Sequence, residues 1–250
     1  MSQPISRRKW ITGGLTVGAA GVAATQIASR CGLIPPDSGG IWGPGETLTY
    51  AAQRVLTSGN SLAREFRPGQ ISTVAPVSGE PPEDFEYQRL LAQHFAEWEL
   101  AIEGMVAKPS VFTLAQLQQM PATSQITHQA CEEGWSFIAE WGGVQVSHIL
   151  QAVGADAKAK YVVFYPFDSA WESLDMADAL HPQTLLAYAM NGERLPTRHG
   201  APLRLRVARQ LGYKSIKYLS HIEVTDSLKE IGKGLGSSSP EGGYSWWAGI

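Results

Sequence analysis

His128-Gln129-Ala130-Cys131-Glu132-Glu133-Gly134-Trp135-Ser136 is the stretch on which the fold turns. Ile126 and His128 predict a strand running toward Cys131. Glu132-Glu133-Gly134 is polar and contains a glycine, so the strand gives way to a turn and the thiol is presented rather than packed away. The chain's other cysteine, Cys31, lies at the edge of the N-terminal segment. Without that segment Cys131 is the lone thiol and has no internal disulfide partner. Three roles stay open to it: buried apolar filler, nucleophile or metal ligand. Glu132 and Glu133 oppose an activated nucleophile, because nearby negative charge raises a thiol pKa. A bound metal overcomes that opposition, whereas the lone His128 three residues away is a weak partner.

Working outward, Tyr87, Leu90, Leu91, His94, Phe95 and Trp98 fall on one helical face. Trp98, Leu100 and Ile102 then alternate, which predicts a strand ending at Gly104. Thr113 and Gln116 form a capping-box pattern for a short helix ending before Pro121. Ser147 is placed to cap a helix over His148 to Val153. Tyr161 to Tyr165 is a continuous apolar run, predicting a buried strand. Asn191-Gly192 predicts a turn between two strands. Leu203, Leu205 and Val207 alternate, as do Ile222 and Val224. No long element is expected over 50 to 82. The loop Pro166 to His181, with Asp168, Ser169, Glu172, Asp175 and His181, is the kind of polar segment that shapes a pocket mouth. The Gly/Ser-rich tail from Gly232 to Gly243 ends in Tyr244, Trp246 and Trp247, aromatics expected to dock back onto the body. The sum is a mixed α+β chain with more strand than helix.

Composition agrees. The 250 residues are 44% hydrophobic and 17% charged, values that exclude a disordered chain or a coiled coil. A net charge of −3 excludes the basic surplus of a nucleic-acid binder. Two cysteines exclude a disulfide scaffold and a four-cysteine zinc site, and no haem-attachment or iron–sulfur spacing occurs. With 26 Gly, 15 Pro and 8 Trp the chain looks loop-rich with aromatic-lined pockets.

Ser6-Arg7-Arg8-Lys9-Trp10-Ile11 precedes a weakly apolar stretch from Trp10 to Ala28, and no acidic residue occurs before Asp37. Residues 1–30 resemble a twin-arginine export signal, either removed or retained as a membrane anchor. Residues 31–46, rich in Gly and Pro, are expected to be a linker, and the domain to span 47–250. The twin-arginine route carries folded proteins, as a cofactor buried before export requires. The expected location is the periplasm or another exported compartment.

The pattern Cys131-x-Glu133-Gly134-Trp135 followed by Trp141-x-Gly143-Val144 resembles the molybdenum-ligand segment of the sulfite oxidase family, and most nearly its periplasmic methionine-sulfoxide reductase branch. A second block agrees in order and spacing: Leu185-Leu186-Ala187-Tyr188, Asn191-Gly192-Glu193, Leu195-Pro196, His199-Gly200-Ala201-Pro202-Leu203-Arg204 and Gly212-Tyr213-Lys214-Ser215-Ile216-Lys217. The resemblance covers roughly residues 95 to 226. It implies a strand-rich sulfite-oxidase-type molybdopterin-binding fold and an oxidoreductase with a molybdenum–molybdopterin cofactor. It implies Cys131 as metal ligand and catalytic centre. His199, Arg204, Gly212, Ser215, Ile216 and Lys217 are then the cofactor-binding residues. Arg204 and Lys217 have the chemistry to hold a phosphate, and the Gly212–Lys217 segment to add backbone N–H donors.

The chain departs from that pattern at particular places. Gly134, Trp135 and Ser136 stand where sulfite oxidases carry arginines for an oxyanion, which argues against sulfite. Pro166 stands where the sulfoxide reductase branch has a threonine after the Tyr161–Phe164 strand. That branch's upstream asparagine and aromatic-glutamate pair has no clear counterpart, Phe85-Glu86 being a poor one. The partners implied are a small-molecule substrate, an external electron carrier such as a membrane haem protein or a cytochrome, and the twin-arginine export machinery, with no nucleic acid. The alternatives are a molybdopterin-binding protein of this fold without catalysis, and a cysteine hydrolase using Cys131 and His128.

Overall fold

A computed structural model describes residues 33–40, 42–56 and 61–250. The export-signal reading over 1–30 lies outside the described residues, as does Cys31. Two sheets carry the fold. In the first, β1 (Glu99–Gly104) lies between β2 (Ser110–Thr113) and β10 (Leu219–Thr225), followed by β5 (Tyr161–Pro166) and β6 (Glu172–Asp175). In the second, β3 (Ala122–Ala130), β4 (Ser136–Gln145) and β7 (Thr184–Met190) run in order. The short β8 (Glu193–Arg194) and β9 (Arg204–Val207) both pair with β7, at opposite ends. β1 and β10 pair in parallel and every other pair is antiparallel. The result is α+β and strand-rich, as expected.

The main core forms where the two sheets meet. Leu100, Ile102, Phe164, Ile222 and Val224 from the first sheet pack with Val144, Leu186 and Leu205 from the second. Ile149, Leu150 and Val153 of a helix over Val146–Val153 join them. The long β3–β4 hairpin obeys a two-residue period, buried side chains alternating with partly exposed ones. Its turn is the Cys131–Ser136 segment. β4 approaches β7 so closely at Gly143 that an added Cβ would stand 2.1 Å from the Leu186 carbonyl oxygen. Only glycine fits there.

Most local expectations hold. Thr113 caps a helix over Leu114–Gln119, reciprocally with Gln116. Asn191 and Gly192 take the left-handed conformation between β7 and β8, with φ of 54° and 80°. Three expectations are corrected. The helix at Tyr87 covers Phe85–Ala92 and does not continue to Trp98, because His94 and Phe95 turn left-handed, at φ 52° and 60°. Ser147 does not cap its helix: Gln145 is the N-cap residue and Ser147 lies inside the first turn. Finally, the stretch expected to hold no long element begins inside α1 (Gly43–Leu56). The preceding Gly- and Pro-rich segment is not a free spacer either, since Asp37 is buried and accepts the Trp246 amide at 2.8 Å.

The aromatic tail does dock. Tyr50 of α1 meets Trp246 and Trp247 with ring centroids 5.9 Å apart in each case. Asp178 binds the assembly from below, accepting from Arg54 (2.8 Å), Gln210 (2.8 Å) and Trp247 Nε1 (2.8 Å).

Candidate cofactor cavity

An open cavity of about 210 Å³ lies where the β3–β4 turn, the loop after β8, the N-terminal end of β9 and the approach to β10 converge. Cys131, His199, Arg204, Gly212, Ser215, Ile216 and Lys217, all singled out from sequence, line it together. Gln129, Glu132, Trp135, Phe137, Asp168 and Tyr213 complete most of the wall.

Each position has a local cause. Cys131 follows the last residue of β3, and its turn closes through Cys131 N–H to the Trp135 carbonyl at 2.9 Å. The thiol is partly exposed to the cavity, and it donates to Glu132 Oε2 at 3.3 Å. Burial, with the nearby Glu132 and Glu133 charges, pushes the thiol up to about 11. His128, by contrast, is not part of the cavity wall, and the Cys131 thiol donates to Glu132 and not to it. A cysteine–histidine dyad therefore does not form. Gly212 lies so close to β3 that a Cβ would stand 2.6 Å from Gln129 Nε2 and 3.1 Å from the Ala130 carbonyl.

The cavity's electrostatics are lopsided. Arg204 is buried, donating to the His199 carbonyl at 2.8 Å and the Ser215 carbonyl at 2.7 Å. Arg206, two residues on and fully buried, reaches Thr127 Oγ1 (3.1 Å) and the His128 carbonyl (2.7 Å). Both guanidiniums lie over the Trp141 ring, 4.9 and 5.5 Å from its centroid. Half-buried Lys217 donates to the Ser78 carbonyl at 2.7 Å. Among the described residues, the ion pairs use Arg54, Arg89, Arg198, Arg209, Lys214 and His221. Arg204, Arg206 and Lys217 thus bring positive charge with no carboxylate bound to it. The cost appears in their pKa values. Burial lowers Arg204 to about 10; burial and then Arg204 lower Arg206 to about 9 and Lys217 to about 8. His199 is held down to about 4 by burial and by Arg204, Lys217 and Arg198, so it is a neutral ring at physiological pH.

Arg204 and Lys217 in the wall bind no carboxylate, although Glu132 and Asp168 line the same cavity, and two such donors suit an anion. Gln129 Oε1 adds a buried acceptor with no partner beside the same wall. Together with a partly exposed thiol, these features fit a group bearing an anionic tail, polar ring edges and a metal that takes sulfur.

Sequence reasoning missed Arg206, Gln129 and Trp135. A signal for Arg206 was present: with Leu203, Leu205 and Val207 facing the core, Arg204 and Arg206 share the opposite face. The loop after Pro166 was over-read. Of its polar residues only Asp168 lines the cavity. Glu172 is buried against Lys214, Asp175 pairs with Arg54, and His181 accepts the Gln183 amide at 3.2 Å.

Comparison with known proteins gives the same answer. The sequence profile of the oxidoreductase molybdopterin binding domain matches residues 88–230. A protein of Azospira oryzae, provisionally named protein-methionine-sulfoxide reductase subunit YedZ1, is 41% identical over 154 residues, 62% of this chain and 56% of its own length. The protein-methionine-sulfoxide reductase catalytic subunits MsrP of Ralstonia nicotianae and Xanthomonas campestris are 28% and 33% identical, covering 59% and 53% of this chain and 50% and 46% of their own. The chain spans about half the length of the curated relatives it matches. The crystal structure of the sulfane dehydrogenase SoxCD from Paracoccus pantotrophus superposes with a TM-score of 0.50 at 26% identity, over 52% of this chain and 39% of that one. With the family profile extending over more than half its length, from before β1 to beyond β10, the chain belongs to the molybdopterin-binding oxidoreductases that the Cys131 and Gly212–Lys217 blocks resemble.

Proposed function

We propose that the chain is an exported oxidoreductase that holds a molybdenum–molybdopterin cofactor in this cavity and removes an oxygen atom from a sulfoxide. The observation that carries the reading is the convergence of Cys131 with Arg204 and Lys217, two cations that no carboxylate binds, on one cavity wall. Cys131 would supply the protein's sulfur to the metal, and metal binding would displace the thiol proton despite the two glutamates. Arg204, Lys217 and the backbone of Gly212–Lys217 would hold the phosphate. Trp135 and Phe137, stacked with centroids 6.1 Å apart, would shield one side from water. His199, neutral, would offer hydrogen bonds without adding charge.

When bound, the cofactor supplies a two-electron metal centre that can accept an oxygen atom. The balance is one sulfoxide, two electrons and two protons to one thioether and one water. The electrons must come from outside, since the chain has no haem or iron–sulfur motif of its own; a membrane haem protein or a cytochrome is the proposed donor. The relatives named as methionine-sulfoxide reductases support methionine sulfoxide, free or within a polypeptide, as substrate. Sulfite fits less well, because no arginine follows Cys131 in its turn.

Elemental and pterin analysis of protein from a cofactor-competent host tests the reading. About one molybdenum per chain is expected, and Cys131→Ser should lose metal and activity together. Wild-type protein that carries pterin and metal, yet turns over no sulfoxide, N-oxide or sulfite, would favour a non-catalytic binding role.

A further inference from the structure

α1 is built inside out. A helix on a protein surface normally turns its charges to water. Here Arg54 is withdrawn, donating to Asp178 at 2.8 Å and also pairing with Asp175, and Glu46, the helix's other charge, is partly exposed and off the outermost face. The solvent side consists of Pro44, Gly45, Leu48, Thr49, Ala52, Val55 and Leu56, with Trp42 just ahead. Trp42 is 70% exposed, Leu48 73%, Val55 72% and Leu56 82%. Scattered exposed apolar residues are ordinary, but a helix face without one charge is not. Gly249 backs onto Gln53, so Ile250, also exposed, stands beside the same helix.

The neighbouring sequence says what covers this face. Arg7-Arg8-Lys9 and the apolar stretch Trp10–Ala28 end only fourteen residues before Gly43. Fourteen residues reach about 50 Å at most, so a membrane engaged by that stretch lies within range of α1. The face carries Trp, the residue that favours the headgroup level, and no charge to demand a charged protein partner. We infer that α1 is an interfacial helix whose Trp42–Leu48–Val55–Leu56 face beds into a lipid bilayer and sets the orientation of the body on the membrane.

Hydroxyl-radical footprinting of the full chain, with and without phosphatidylcholine vesicles, tests this. Vesicles should cut labelling of Trp42, Leu48 and Val55 several-fold. Phe85 and Val111, exposed elsewhere, should be unchanged. Because the face is uncharged, the protection should persist at high salt and need no anionic lipid. Leu48→Glu with Val55→Glu should abolish protection of Trp42 while leaving metal content and fold unaltered. Unchanged α1 labelling in vesicle-bound protein overturns the inference. So does protection that is already complete in a dimer without vesicles, or that needs a second membrane protein.

Discussion

Cys131 is held in a state that resists its proposed task, and this makes its chemistry measurable. Burial and the flanking glutamates raise the thiol to about 11, so metal-free protein should react slowly with iodoacetamide at neutral pH and faster as pH approaches that value. Glu132→Gln should shift the reactivity profile toward lower pH. A profile with its midpoint near the usual thiol value would contradict the geometry. His199 behaves in the opposite sense. Its ordinary value is about 6.5, and the fold lowers it to about 4. Between those values the unfolded chain binds a proton that the folded chain refuses. Stability is therefore lost as pH falls through this window. Urea unfolding at about pH 7 and about pH 5 should show a smaller loss for His199→Asn than for wild type. The cation cluster was half legible in the sequence. Arg204 and Lys217 stood in recognisable blocks, whereas Arg206 sits on a strand, where a charged side chain is ordinarily assigned to water.

Elements were legible where their signals were local. The Thr113 capping box, the Asn191-Gly192 turn and the β3, β5 and β10 patterns each rest on neighbours a few residues apart. The errors came where long-range packing decided. The apolar period that begins at Tyr87 runs past the end of its helix. His94 and Phe95 keep the period but turn the chain, and the next buried residue, Trp98, anchors instead through its indole N–H on the Leu219 carbonyl at 3.1 Å. α1 was invisible because its start looks like a linker and its apolar residues face outward. At the β4–β7 seam the close approach at Gly143 is testable. Gly143→Ala forces a Cβ against backbone, not a yielding side chain, and should cost roughly 3 kcal/mol of stability by denaturant unfolding. Thr113→Ala, which removes only a cap, should cost about 1 kcal/mol.

For the whole molecule, Asp178 joins parts remote in sequence. It binds Arg54 of α1, Gln210 beside the cavity loop and Trp247 of the tail, and Arg209 stands 3.9 Å away. Removing it leaves the Gln210 amide and the Trp247 indole N–H without this acceptor and takes from Arg54 one of its two carboxylates; an orphaned buried donor typically costs about 1–3 kcal/mol. Asp178→Ala should lower the thermal midpoint and expose both α1 and the tail to limited proteolysis, while β3–β4 stays protected.

The tail also reaches the cavity, through Tyr213, whose hydroxyl donates to the Ser245 carbonyl at 2.7 Å. A wall of the proposed binding chamber is thus fastened by a residue 32 positions farther along the chain. A polypeptide emerging from the ribosome closes that wall only once Ser245 has followed Tyr213 out, so the chamber is completed later than the β3–β4 turn that presents the thiol.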